Sequence, residues 1–251
     1  TALKQAQDLG FAEADPTFDI EGIDAAHKIT ILASIAFGVP IDFEAVHIEG
    51  ISNLNQKDIR YAEELGYRIK LLGIAKSDKS GVEIRVHPTL VPEKRLVANV
   101  DGAMNAVLVQ GNMVGPTLYY GAGAGSEPTA SAVAADIIDI ARQSKLSNKT
   151  LIPTLGFMPD KIQKKNILSI DDIFSEFYLR FAKITQIFAE HEISINSMVH
   201  KEVQEDNQNP DIFLITSKTK ESDINAIINE IELLPENIEK VVKIRTEDLK
   251  K

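Results

Sequence analysis

Near the start of the chain, apolar residues recur at helical spacing. Ile23, Ala26, Ile29, Ala33 and Ala36 form one stripe, and Gly38 and Pro40 follow as stop signals, so residues 23–37 are predicted to be a helix. Residues 2–9 read as the body of an earlier helix closed by Gly10. That helix has no start signal, which predicts that on the order of 100–200 residues precede Thr1 in the native protein. Another helix is expected over residues 56–65, ending at Gly66. From Tyr67 the period changes to two. Tyr67, Ile69 and Leu71 alternate with Arg68 and Lys70, a turn occupies residues 77–81, and Val82, Ile84 and Val86 alternate with Glu83 and Arg85. This is the pattern of a β-hairpin. A second hairpin is expected over residues 104–120, then a glycine-rich loop at 121–127 and a helix from Pro128 to about residue 143.

Strands joined by turns rather than by helices predict a largely antiparallel sheet. Residues 151–174 are polar and irregular and read as a linker. Beyond them the order is strand, helix, strand, strand, helix, strand, which is ferredoxin-like. The expected fold class is therefore α+β: a mixed, largely antiparallel sheet with helices on one face over residues 1–150, followed by a ferredoxin-like βαββαβ unit over 175–251.

Composition narrows the function. Lys and Arg number 27 against 37 Asp and Glu, a formal net charge of −10. Nucleic-acid and anionic-membrane binders need basic surface, so neither partner is expected. The absence of Cys removes disulfides, thiolate metal sites and a Cys nucleophile, and fits a reducing, cytoplasmic setting. No apolar run reaches the roughly 20 residues of a membrane-spanning helix. The five His residues show no metal-ligand spacing, so no metal site is expected within the chain.

Three constellations carry candidate chemistry. Asp24 and Lys28 stand four apart and share one helix face, the spacing of a cooperating acid and base and equally of an ordinary surface ion pair. Glu13, Asp15, Asp19 and Glu21 form an acidic loop leading into that helix; it suits an amine or a cation, or is simply a solvated loop with capping Asp residues. Gly121, Gly123 and Gly125 lie between a strand and a helix, where a ligand can approach the backbone. A dinucleotide fingerprint follows the first strand of a βαβ unit. Here a hairpin precedes the loop, so it is not read as the primary pyrophosphate site; a secondary cofactor contact stays open.

The order of these segments resembles homoserine dehydrogenase. The runs that carry the resemblance are Leu9-Gly10-Phe11-Ala12-Glu13-Ala14-Asp15-Pro16, Asp19-Ile20-Glu21-Gly22-Ile23-Asp24-Ala25-Ala26-His27-Lys28, Asn99-Val100-Asp101-Gly102-Ala103-Met104-Asn105-Ala106 and Tyr119-Tyr120-Gly121-Ala122-Gly123-Ala124-Gly125. Residues 175–246 resemble an ACT domain, with Glu176-Phe177-Tyr178-Leu179-Arg180-Phe181 as its first strand. The Asp-x-Pro-Gly turn usual after that strand is missing, which predicts an additional loop at the Phe181–Ala182 junction.

The resemblance implies interconversion of homoserine and aspartate 4-semialdehyde with NAD or NADP, in the route to threonine, methionine and isoleucine. It implies Lys28 as proton-transfer group, Asp24 as its positioner, Glu13 and Asp19 as substrate-ammonium acceptors, and the three glycines beside the nicotinamide. The main cofactor site, and the ligands of any monovalent cation, would lie in a Rossmann domain outside this chain. A homodimer or larger homo-oligomer and an amino-acid effector at the ACT unit are further implications. Two other readings stay open: an inactive dimerisation and amino-acid-sensing module, and a related amino-acid-pathway dehydrogenase.

Overall fold

The computed structural model describes Lys4, Gln7 and residues 14–145, 153, 155–181, 187–201, 211–234 and 240–249. The expected opening helix, Glu13 and the junction after Phe181 involve residues outside this set. Helices α1 (Thr17–Ile20) and α2 (Ile23–Phe37) come first, then β1 (His47–Ile48) and α3 (Gln56–Glu64). Two antiparallel hairpins follow, β2 (Tyr67–Ser77) with β3 (Val82–Pro92) and β4 (Met104–Gly111) with β5 (Gly115–Ala122). Helix α4 (Ser126–Lys145) ends this part of the chain. The remainder comprises β6 (Phe174–Phe181), α5 (Ile187–Glu190), β7 (Ile195–Lys201), β8 (Asp211–Thr216), β9 (Thr219–Lys220), α6 (Glu221–Glu232) and β10 (Val242–Thr246).

Strand β3 organises the molecule. One of its edges pairs with β2 along the full register, from Tyr67 opposite Pro92 to Ser77 opposite Val82. Its other edge is shared. The first half takes β1 in parallel, with Ile48 opposite Val86, and the second half takes β10 in parallel, with Arg245 opposite Thr89. Strand β10 then continues to β6, β8 and β7, all antiparallel. The two units expected on either side of a linker thus share one mixed eight-stranded sheet, while β4 and β5 form a separate ribbon.

Alternation along the strands sends neighbouring side chains to opposite faces. On one face Val82, Ile84 and Val86 pack against Ala26 and Ala33 of α2. Leu90, Tyr178 and Ile244 pack on that face against Tyr61 and Ala62 of α3. Tyr61 stacks on Phe213 with ring centroids 4.4 Å apart. On the other face Phe177, Leu179 and Phe181 pack against Ile224, Ile227 and Ile231 of α6. Helices on a single face describe the part around β2 and β3; across the whole sheet they cover both faces. The polar face expected on β3 is consequently not solvent: Arg85, His87 and Thr89 are fully buried.

The expected linker is laid against the first unit. The Gln163 amide donates to the Gly38 carbonyl and the Val82 amide to the Asn166 carbonyl, both at 2.9 Å. Among the described residues no helix is long and apolar enough to cross a membrane.

Candidate active site

Helix α2 starts at Gly22, a left-handed N-cap with φ 78°, and ends at Gly38, whose amide donates to the Ser34 carbonyl. Ala26, Thr30, Ala33 and Ser34 turn inward onto the sheet. That leaves Asp24 and Lys28 on an outward face, with side chains 41% and 64% exposed. Lys28 Nζ donates to Asp24 Oδ2 at 2.5 Å. Asp24 lies in the first turn, where the helix dipole favours a carboxylate. An exposed i, i+4 pair contributes little to stability, so the fold does not require it.

The acidic loop divides by role. Asp15 Oδ1 accepts from the amide and hydroxyl of Thr17, at 3.1 and 2.6 Å, and these bonds hold its carboxyl below the ordinary value. Asp15 therefore folds the chain back on Thr17 just before α1, whose N-cap is Pro16. Asp19 is exposed at the end of that short helix, one turn before α2. Glu21 Oε1 accepts from the Ser52 hydroxyl. His27, beside Lys28, stands edge-on to Phe18 and Phe43, with centroids 5.5 and 4.4 Å away.

The glycine loop joins β5 to α4. Gly123 donates its amide to the Ala103 carbonyl, and a Cβ at Gly123 would overlap the Asn105 side-chain amide. The Gly123 amide and the close approach of Asn105 put this loop against the Asn99–Ala106 run, so the structure brings those two sequence runs together. Gly121 has open space where a Cβ would lie, and Gly125 has φ +115°. These two present accessible backbone. The contacts that seat α2 are with α1, β2 and β3. Among the described residues no group of three or more His, Asp or Glu is arranged to hold a metal ion.

One charged cluster has no counterpart in the motifs. Arg245 of β10 is buried between two carboxylates. Its Nη1 and Nη2 each donate to Glu49 at 2.8 Å, and its Nε and Nη2 donate to Glu221 at 2.7 and 2.5 Å. Burial opposes ionisation of Glu49, but hydrogen bonds from His47 and Arg245 outweigh it and hold its carboxyl far below the ordinary range. Glu221 is likewise lowered, its burial outweighed by Arg245 and Lys243. His87 is held well below its usual value by burial and then by the charges of Arg245 and Arg85. Arg85 completes the cluster through Glu247 at 2.7 Å. Glu49 and Arg245 stand 196 residues apart, and no local sequence signal links them.

Comparison with known proteins decides the family. The homoserine dehydrogenase family profile matches residues 1–138. The chain belongs to the homoserine dehydrogenase family. It is similar to a homoserine dehydrogenase of Neisseria gonorrhoeae, 51% identical over 98% of this chain and 59% of that protein. It is 50% identical to one from Pseudomonas aeruginosa over the same shares. A crystal structure of a homoserine dehydrogenase from Thiobacillus denitrificans superposes with a TM-score of 0.90 at 55% identity, covering 99% of this chain and 58% of that one. The chain thus spans about three-fifths of the length of these homoserine dehydrogenases. The family match covers α2 and the glycine loop and ends within α4.

Proposed function

We propose that this chain forms the substrate-handling part of an NAD(P)-dependent homoserine dehydrogenase, which interconverts L-homoserine and L-aspartate 4-semialdehyde. The observation that carries the reading is the 2.5 Å Asp24–Lys28 pair, on an exposed face of a helix otherwise seated in the core. Reduction of an aldehyde needs a proton at the carbonyl oxygen as hydride reaches carbon. Lys28 Nζ, a hydrogen-bond donor to Asp24, is the group placed to supply that proton. Asp24 holds the amine in place and returns it to that position after transfer. Oxidation is the reverse, with Lys28 receiving the hydroxyl proton. Glu13 and Asp19 accept hydrogen bonds from the substrate ammonium.

The nicotinamide cofactor, NAD or NADP, supplies the hydride chemistry when bound. Gly121, Gly123 and Gly125 are the proposed backbone contacts to it; Gly121 has open space where a Cβ would lie, and Gly123 lies against Asn105. Its main site, and the ligands of any monovalent cation, belong to the part of the relatives this chain does not span. No nucleic-acid or membrane partner and no metal within the chain form part of this reading.

The division into a catalytic unit (1–150), a linker (151–174) and an ACT unit (175–251) is part of the same reading. The strand order β10-β6-β8-β7 supports the ACT assignment, because it is the order of a ferredoxin-like sheet. An amino-acid effector would act there. Exposed Val107, Val109 and Tyr119 on the β4–β5 ribbon support a homodimer. A cytoplasmic enzyme of threonine and methionine synthesis completes the proposal.

The test uses the full-length protein, NADPH, and either aspartate 4-semialdehyde or 4-oxobutanoate, which lacks the amine. The expected result is NADPH consumption with the first and little with the second. No turnover of aspartate 4-semialdehyde would overturn the activity, and equal turnover of both would overturn the ammonium site.

A further inference from the structure

We propose that Arg245 and Glu49 form a strut that positions the Asp24–Lys28 pair, placing a residue of the C-terminal unit in control of the catalytic helix. The proposal rests on the proton-transfer reading of that pair.

The strut can be followed atom by atom. Arg245 grips Glu49 through two hydrogen bonds of 2.8 Å, and its own guanidinium is fixed from behind by Glu221 at the start of α6. The Glu49 backbone is fastened to the sheet, its amide donating to the Val86 carbonyl at 2.8 Å. The chain from Glu49 then presses on the entry to α2. The Ile51 amide donates to the Ile20 carbonyl at 2.8 Å, and the Ser52 hydroxyl donates to Glu21. A Cβ on Gly50 would fall 2.5 Å from Glu21 Oε2 and 2.6 Å from the Ile20 oxygen, so the two segments touch backbone to backbone. Gly22, the N-cap of α2, is boxed in by the same wall: its Cβ would meet Val86 Cγ1 at 3.0 Å and the Glu49 carbonyl at 3.6 Å. Asp24 follows two residues later.

A helix whose N-cap is held on several sides has one axial position and one rotation about its axis. Removing the Arg245–Glu49 contact frees the 49–52 segment to shift, and α2 can follow it. Misplacement of about 1 Å at a reacting group can cost up to ~100-fold in rate. Arg245 therefore acts on the proton-transfer step without touching substrate. Because Glu221 shares the guanidinium, any displacement of α6 loads the same strut.

The experiment uses the full-length enzyme. Glu49→Gln keeps the size of a half-exposed side chain while weakening the grip of Arg245. The expected result is an enzyme that still folds, with a lowered melting temperature because the Glu49 charge contributes stability, kcat lower by on the order of 10-fold, and KM for aspartate 4-semialdehyde little changed. In an Asp24→Asn background the same substitution should add almost nothing, because the two act through one element. Ser52→Ala, at an exposed position, breaks the strut at its far end and should lower kcat in the same sense even if Glu49→Gln folds poorly. Wild-type kcat in both Glu49→Gln and Ser52→Ala would overturn the strut and leave the catalytic reading standing. An undiminished loss in the Asp24→Asn background would also overturn it. A silent Asp24→Asn would instead overturn the catalytic reading on which it rests.

Discussion

Asp58 of α3 accepts a 2.7 Å hydrogen bond from Nε of Arg180 on β6, a residue 122 positions further along the chain. Both side chains are buried, and the Tyr178 hydroxyl donates to the same carboxylate at 3.1 Å. The contact ties a helix of the first unit to a strand of the second. Burial, followed by the Asp58 charge, pushes the Tyr178 hydroxyl well above its usual value, so it stays a donor at any physiological pH.

Removing one member of a buried ion pair leaves the other charge uncompensated, which typically costs ~3–5 kcal/mol. Asp58→Ala should therefore lower stability by about that much, as read from denaturant unfolding. Tyr178→Phe, which removes one donor and no charge, should cost nearer ~1 kcal/mol. Equal small effects from both substitutions would show that the two units are held together elsewhere.

Acid sensitivity should come in two stages. His87 is lowered in the folded state, so the unfolded chain binds its proton first, and stability is lost as pH falls below ~6.5. Glu49 and Glu221 are lowered as well; their contribution is present above ~4.3 and lost as pH falls through the carboxylate range. Glu49→Gln should flatten the lower stage, while the upper one, set mainly by the burial of His87, persists. Unfolding midpoints followed against pH for both proteins check this, and superimposable acid limbs would contradict it.

Much of the framework is legible from local pattern. The apolar stripe of α2 with Gly38 behind it, the period-two alternation of β2 and β3, and the strand and helix order after Phe174 all rest on neighbours in sequence. The joining of the sheet does not. Where β3 meets β10, Arg85 and Arg245 find carboxylates in Glu247 and Glu49, partners 162 and 196 residues away from them in sequence. The same long-range pairing explains why Arg85, an outward polar residue by alternation, is buried. At the site, spacing places Asp24 and Lys28 together, but their role comes from resemblance. Gly123 carries a further contact that spacing does not announce, its amide donating to the Ala103 carbonyl across the ribbon.

The β4–β5 ribbon exposes Val107, Val109, Met113 and Tyr119, an apolar surface that a monomer would leave in water. The proposed homodimer predicts that Val109→Glu in the full-length protein gives a smaller species than the wild type in light scattering, with the remainder of the fold intact by circular dichroism. A dimer of unchanged stability would place the interface elsewhere.

The central claim is that Lys28 transfers the proton. Turnover of homoserine by full-length Lys28→Ala tests it most directly, with folding checked by melting. The loss of a general acid–base group costs ~10²–10⁴-fold in rate, and kcat should fall by that order while KM changes less. A folded Lys28→Ala enzyme with wild-type turnover would contradict the account and leave Asp24–Lys28 as a surface ion pair.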